Sequence, residues 1–332
     1  MEPGSNEWLA QVVEDIVDPD QRIIDPHHHL WGPDGRIPYT LEQLHSDTES
    51  GHNVVATVFV ECRSNYRADG PQHLRPIGET EFVAANAAAS ARSGKAEIKG
   101  IVAHADLRLD ELDEVLDAHA EAGGSLFKGI RHAGSRAIDP TGMRIPGAAP
   151  EGLYEDAAFQ RGVRRLGELG LTYDTWQYHY QLDELTHLAA AAPATTIVLD
   201  HLSTPLGVGR FAGCHDEIYP VWKAGIAALA KFPNVVAKLG GMAMPDNGFG
   251  WDTAERPPTS DEFVQAQERW YLHMIDCFGP DRCMFESNFP VDRWSISYHV
   301  MWNGLKKIAA SFDDTERDRM FYGTAADVYS IG

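Results

Sequence analysis

Short apolar, β-branched runs recur along the chain, and helix-like stretches separate most of them. The runs are "RIID" (22–25), "VVATVFVEC" (54–62), "IKGIVAHAD" (98–106), "LFKGIRH" (126–132), "LTYDTW" (171–176), "TTIVLDH" (195–201), "NVVAKLGG" (234–241) and "CMFESNFP" (283–290). Helical patterns fall at 79–93, 109–123, 159–170, 181–193 and 219–233. Strands that are apolar on both faces and alternate with helices predict a parallel sheet covered on both sides. Eight such strands predict a single (β/α)8 TIM barrel, an α/β fold, over residues 22–332, preceded by an N-terminal extension at 1–21. An open, doubly wound sheet is the rival. Two long strand-to-helix loops, 202–218 and 242–262, would sit at the C-terminal face of a barrel, where active sites are built.

The formal net charge of −21 over 332 residues argues against nucleic acid or an anionic membrane surface as a partner, since both would be repelled. A small molecule is the expected partner, and a homo-oligomer stays open. Four cysteines without framework spacing fit reduced thiols, and the acidic start lacks the features of a signal peptide. With no apolar run long enough to span a bilayer, the chain is expected to be cytoplasmic.

The first strand ends in "DPHHHLW". Side chains alternate along a strand, so His27 and His29 share one face while His28 points the other way. Two imidazoles on one face at a strand's C-terminal end can hold one divalent ion; three solvated loop histidines are the plainer alternative.

"IDPHHHLW" resembles the Asp-x-His-x-His-x-Trp opening of the amidohydrolase superfamily, and most closely the lactonase-like branch of its amidohydrolase-2 family. "KGIRH" (128–132), "VLDHLSTP" (198–205), "NVVAKLGGM" (234–242), "MFESNFPVD" (284–292) and "FYGTAADVY" (321–329) resemble, in order, the fourth-, sixth-, seventh- and eighth-strand segments and the closing helix. The resemblance implies a distorted TIM barrel that hydrolyses a lactone, ester or amide. It implies that His201 joins His27 and His29 around one divalent metal ion, zinc or manganese, although the lactonase branch also contains metal-independent members. The family usually carries an aspartate, as metal ligand or general base, where this chain has Asn288. An amide cannot take a proton at neutral pH.

Glu286 has the same strand parity as Asn288 and points into the barrel. It is either a displaced base or metal ligand, or the structural partner of an interior cation such as Lys128. Asp292 is a further acid, expected in the following loop. Glu61 ends the second strand and would complete a metal site or bind an arginine such as Arg63. Arg131 would hold a substrate oxygen or pair with Glu61, with His132 beside it. Gln177 resembles a position near the ligand, and Trp31 would form wall. In "YDTWQYHY" (173–180), Asp174, Trp176, Tyr178 and Tyr180 share one parity and would line an apolar wall or pack as core. Asp25 would support a histidine from behind. Phe249 and Trp251 would form a lid.

The expected activity is hydrolysis of a lactone or ester of a small carbon skeleton. His201 would bind metal or polarise the carbonyl, Glu286 would take the proton, Asn288 would orient water and Arg131 would hold substrate. The alternatives are decarboxylation or hydration of an aromatic or unsaturated acid, and a non-catalytic metabolite-binding protein.

Overall fold

The computed structural model describes residues 1–331. Eight strands, β1 (Arg22–His28), β2 (Asn53–Val60), β3 (Glu97–Ala103), β4 (Phe127–Arg131), β5 (Thr172–Thr175), β6 (Ile197–Leu199), β7 (Val235–Leu239) and β8 (Cys283–Phe285), pair in parallel and in chain order. A parallel bridge between His28 and Phe289 brings the last strand segment back to the first, so the sheet is a nearly closed barrel and not an open one. The helices that cover it include α1 (Asn6–Leu9), α2 (Leu41–Thr48), α3 (Ile77–Ser90), α4 (Leu112–Gly123), α5 (Ala157–Glu168), α6 (Leu182–Ala191), α7 (His215–Leu229), α8 (Ser260–Phe278) and α9 (Tyr298–Ile308). All eight predicted strands form. The sequence pattern does not mark α2, α8 or α9.

Two cores follow from strand alternation. Between strands and helices lies the larger one, with Phe59, Tyr173, Trp222, Trp270 and Trp302 among its buried residues. Inside the barrel a small apolar set, including Ile24, Val58, Val102, Val198 and Met284, is plugged by Ala325, Tyr329 and Ile331 of the C-terminal segment. The N-terminal segment also packs on the barrel: Trp8 is fully buried and its indole N–H donates to the Ala254 carbonyl.

β1 carries a bulge between Asp25 and His28, beside Pro26, a residue with no N–H to give to a ladder. The bulge shifts the alternation by one residue. Ile24 points inward and Asp25 outward, yet His27 also points inward. Asp25 then clamps the barrel's closing seam, accepting from the Ser287 N–H at 3.0 Å and the Tyr298 hydroxyl at 3.0 Å. His28 faces outward as expected and bonds Thr57 Oγ1 at 3.0 Å, so the middle histidine is structural.

Toward the mouth the barrel interior changes from apolar to ionic. Lys238 on β7 is fully buried and lies 2.9 Å from Asp174 of β5 and 3.1 Å from Asp200 after β6. The Tyr329 hydroxyl donates to Asp174 at 2.6 Å, tying the C-terminal plug to this layer. Lys238→Met would leave Asp174 without its cation and Asp200 with only the more distant Arg131 at 3.6 Å. That should cost about 3–5 kcal/mol, and adding Asp174→Asn should recover part of the loss. Denaturant unfolding checks this, and an unchanged midpoint for the single variant would overturn it.

Candidate active site

Every strand places at least one ionisable group at the C-terminal end of the barrel or just below it. His27 and His29 come from β1, Glu61 follows β2, His104 follows β3 and Arg131 ends β4. Asp174 lies in β5, Asp200 and His201 follow β6, Lys238 lies in β7 and Glu286 follows β8. His27 and His201 have ring centroids 4.5 Å apart, and His27 and His29 5.0 Å.

The tightest group of metal-ligating atoms, all within 4.8 Å of one another, is His27, His201 and Glu286. His29 stands beside this group. Its Nδ1 bonds the Val60 carbonyl at 2.8 Å, which leaves Nε2 as the free nitrogen. Glu286 Oε1 accepts from His201 Nδ1 at 2.6 Å. Glu286 Oε2 lies 2.8 Å from His27 Nδ1 but out of line with the ring N–H, so this buried oxygen has no directed donor. Burial alone would raise the Glu286 carboxyl, but the facing imidazoles of His201 and His27 outweigh it and hold the group down at about 2. Burial, with Lys238 nearby, pushes the His27 imidazole well below its ordinary range. The connected ion-pair group sets four buried carboxylates (Glu61, Asp174, Asp200, Glu286) against two cations, Lys238 and Arg131. Two imidazoles, an oxygen without a directed donor and surplus negative charge form a donor set that fits a divalent metal.

The close approach of these groups depends on Gly240 and Gly241. A Cβ on Gly240 would lie 2.4 Å from Glu286 Cγ, and one on Gly241, at φ +69°, would lie 2.3 Å from His201 Nδ1. His201, Leu202, Ser203 and Thr204 all have positive φ, so the chain leaves β6 through a left-handed turn that aims the imidazole at the mouth.

Several expectations change here. Glu286 does not pair with Lys128, whose ammonium donates to the Ser330 carbonyl; its partners are His201 and His27, and the interior lysine is Lys238. Glu61 pairs with Arg131 at 2.9 Å and not with Arg63. Arg131 also donates to His27 Nε2 at 3.3 Å and to the Glu61 carbonyl, which leaves two of its five N–H groups open. Asn288 is buried and donates to Asp292 Oδ1 at 2.9 Å. Asp292 itself is buried, not looped out; it also accepts from the Ala243 N–H, and burial raises its carboxyl to about 7. Gln177 does not face the ligand pocket, because it is fully buried between Ser203 Oγ and the Tyr154 hydroxyl. Phe249 and Trp251 stack with His215 and Phe263, against the α7 and α8 side, and form no lid.

The pocket beside the His–Glu group has a volume of about 450 Å³, within the range of small-molecule sites. His29, Trp31, Glu61, Arg131, His132 and Trp176 line it, together with the loop after β4. The strand alternation expected along "YDTWQYHY" stops at Thr175. Asp174 belongs to the ionic layer, while the Tyr178 hydroxyl bonds the Gly147 N–H and the Tyr180 hydroxyl the Arg136 carbonyl. These two tyrosines anchor the loop that walls the pocket.

Lys238 and Asp200, in the ionic layer, and His104, in the pocket lining, are site positions that the sequence pattern did not single out. A lysine inside the apolar run "VVAKL" and an acid directly before His201 were the available signals for the first two. His104, in "VAHAD" after β3, carries no spacing pattern of its own.

Comparison with known proteins agrees with this architecture. The sequence model of the amidohydrolase family matches residues 24–331. The uncharacterized protein y4mH of Sinorhizobium fredii is 29% identical over 338 residues, covering 94% of this chain and 99% of its own length. The L-fucono-1,5-lactonase of Burkholderia multivorans is 28% identical over 275 residues, covering 79% of this chain and 86% of its own. The crystal structure of a Burkholderia multivorans amidohydrolase with bound zinc superposes with a TM-score of 0.72 at 26% identity, covering 93% of this chain and 99% of that one. The chain belongs to the amidohydrolase family and is an enzyme of the amidohydrolase type.

Proposed function

We propose that this chain is a cytoplasmic hydrolase that opens a small lactone by attack of water at the C-terminal mouth of the barrel. The carrying observation is the buried 2.6 Å contact between His201 Nδ1 and Glu286 Oε1, in the histidine cluster whose His29 lines the pocket. The lactonase relative supports a lactone over other esters.

Glu286, charged at all working pH values, accepts the Nδ1 proton of His201 and so leaves a lone pair on Nε2. With its carboxyl held near 2, Glu286 is a poor base in its own right. His201 Nε2 takes the proton of the attacking water, and Glu286 stabilises the imidazolium that forms. The two open N–H groups of Arg131 meet the carbonyl oxygen as it gains charge, with the guanidinium fixed in place by Glu61. The proton then passes from His201 to the leaving alkoxide, and the ring opens to a hydroxy acid. A divalent ion, zinc or manganese, held by His27, His201 and Glu286 would occupy the His201 lone pair and so take over from that base, supplying Lewis-acid polarisation and more acidic water in its place. Asn288, held by Asp292, positions the β8 end of the site.

Glu286→Gln should lower kcat on a hydrolysed lactone by about 100- to 10,000-fold, with a much smaller change in KM; near-normal turnover per folded molecule would sink the role. The same carboxyl, held at about 2 when folded against 4.5 when unfolded, contributes stability that is complete above pH 4.5 and is lost as pH falls from 4.5 to about 2. Glu286→Gln should therefore flatten the acid side of the pH–stability curve, as followed by thermal melting. Elemental analysis of protein purified without a metal column should find up to one divalent ion per chain, reduced by His27→Ala. A panel of lactones, simple esters and aromatic acids tests the reaction itself: decarboxylation without lactone opening would replace this proposal.

A further inference from the structure

Two more imidazoles belong to the pocket, His104 after β3 and His132 after β4, with ring centroids 5.7 Å apart. The backbone selects the tautomer of each. His104 Nδ1 lies 3.1 Å from the Arg131 carbonyl oxygen, which only accepts, so Nδ1 carries the proton and Nε2 holds a lone pair. His132 receives the Leu107 N–H on Nδ1 at 3.2 Å, so its proton sits on Nε2. Both rings are also held by packing: His132 lies edge-on to Phe159 at 5.1 Å, and His104 stacks on Tyr66 at 6.5 Å. Neither Nε2 is sealed from the pocket or bonded to another protein group.

The pocket therefore presents one fixed acceptor and one fixed donor side by side. A hydroxyl is both donor and acceptor and satisfies the pair. A carboxylate only accepts, and would face the His104 lone pair unpaired. The arginines of the pocket do not reverse this preference. Arg131 is neutralised by Glu61 at 2.9 Å, and Arg108 by Asp106 at 2.7 Å. That leaves Arg36 and Arg63 at the exposed rim.

We propose that His104 and His132 read hydroxyl groups and select a neutral polyhydroxylated lactone over a carboxylated or an unsubstituted one. The proposal rests on the hydrolase assignment of the same pocket and names its substrate class. Burial, with His104 beside it, lowers His132 to about 4, so at neutral pH His132 is the neutral ring whose Nε2–H is the donor.

The test compares the wild type with His104→Leu, His132→Leu and the corresponding Gln variants. The substrates are a neutral aldono-1,5-lactone, δ-valerolactone and a carboxylated lactone of equal ring size. The wild type should favour the aldonolactone in kcat/KM by at least about tenfold. Each Leu variant should lose about tenfold on the aldonolactone, mainly through KM, and less on δ-valerolactone, so the preference collapses. Gln, whose amide reaches the Nε2 position with a donor and an acceptor, should restore part of it. Equal losses on both lactones, or an unaltered preference in variants that melt normally, would overturn the proposal, as would wild-type preference for the carboxylated ring. Calorimetry with an aldono-1,5-lactam and δ-valerolactam separates the two levels. If no lactone is opened, the hydrolase assignment fails, and the hydroxyl reader survives only if the wild type binds the hydroxylated lactam tighter and the Leu variants lose that difference.

Discussion

The compensation of charge inside the barrel is the constraint on which the rest depends. Lys238, Asp174, Asp200, Glu286, His27 and Arg131 form one contiguous buried layer, and all of them except Arg131, which lines the pocket, are fully buried. A buried ion is tolerated only when its partners are placed within a few tenths of an ångström. That requirement ties β1, β4, β5, β7 and β8 to one another through side chains as well as backbone, and Tyr329 extends the tie to the C-terminal plug. The cost of this layer in desolvation is met by the large apolar core between strands and helices.

The same layer sets the chemistry. Glu286 stays charged because two imidazoles face it, and burial with Lys238 nearby keeps one of them, His27, well below its ordinary range. His201 holds a carboxylate on one nitrogen, and the left-handed turn after β6 together with Gly240 and Gly241 makes its placement possible. Local backbone strain at 201–204 is thus located where it positions a functional side chain.

The replacement of the usual eighth-strand acid by Asn288 also has a local cause. Asp292 supplies a carboxylate to that position from one turn later, and a second carboxylate at 288 would face it at hydrogen-bond distance without a donor between them. An amide at 288 provides the donor. The carboxyl group in this corner of the site is therefore moved to Asp292, where burial raises it to about 7.

Period and composition in the sequence determined the eight strands, their parallel order and the mouth of the barrel as the site, because burial on both faces writes itself as continuous apolar runs. His27 and His29 were legible as a pair on one face, because strand parity separates both from His28, and His201 was legible through the resemblance carried by its segment. The bulge at Pro26, the partner of Glu286 and the inward course of Asp292 were not legible, since each depends on which residues meet across the barrel and not on neighbours in the chain. Lys128 and Lys238 both lie within strand runs, and only the closed sheet decides that one reaches a terminal carbonyl and the other a pair of buried aspartates. The tautomers of His104 and His132 belong to the same class. A hydrogen bond from a backbone group 25 or 27 residues away fixes each of them, and no local pattern encodes a contact made by tertiary closure.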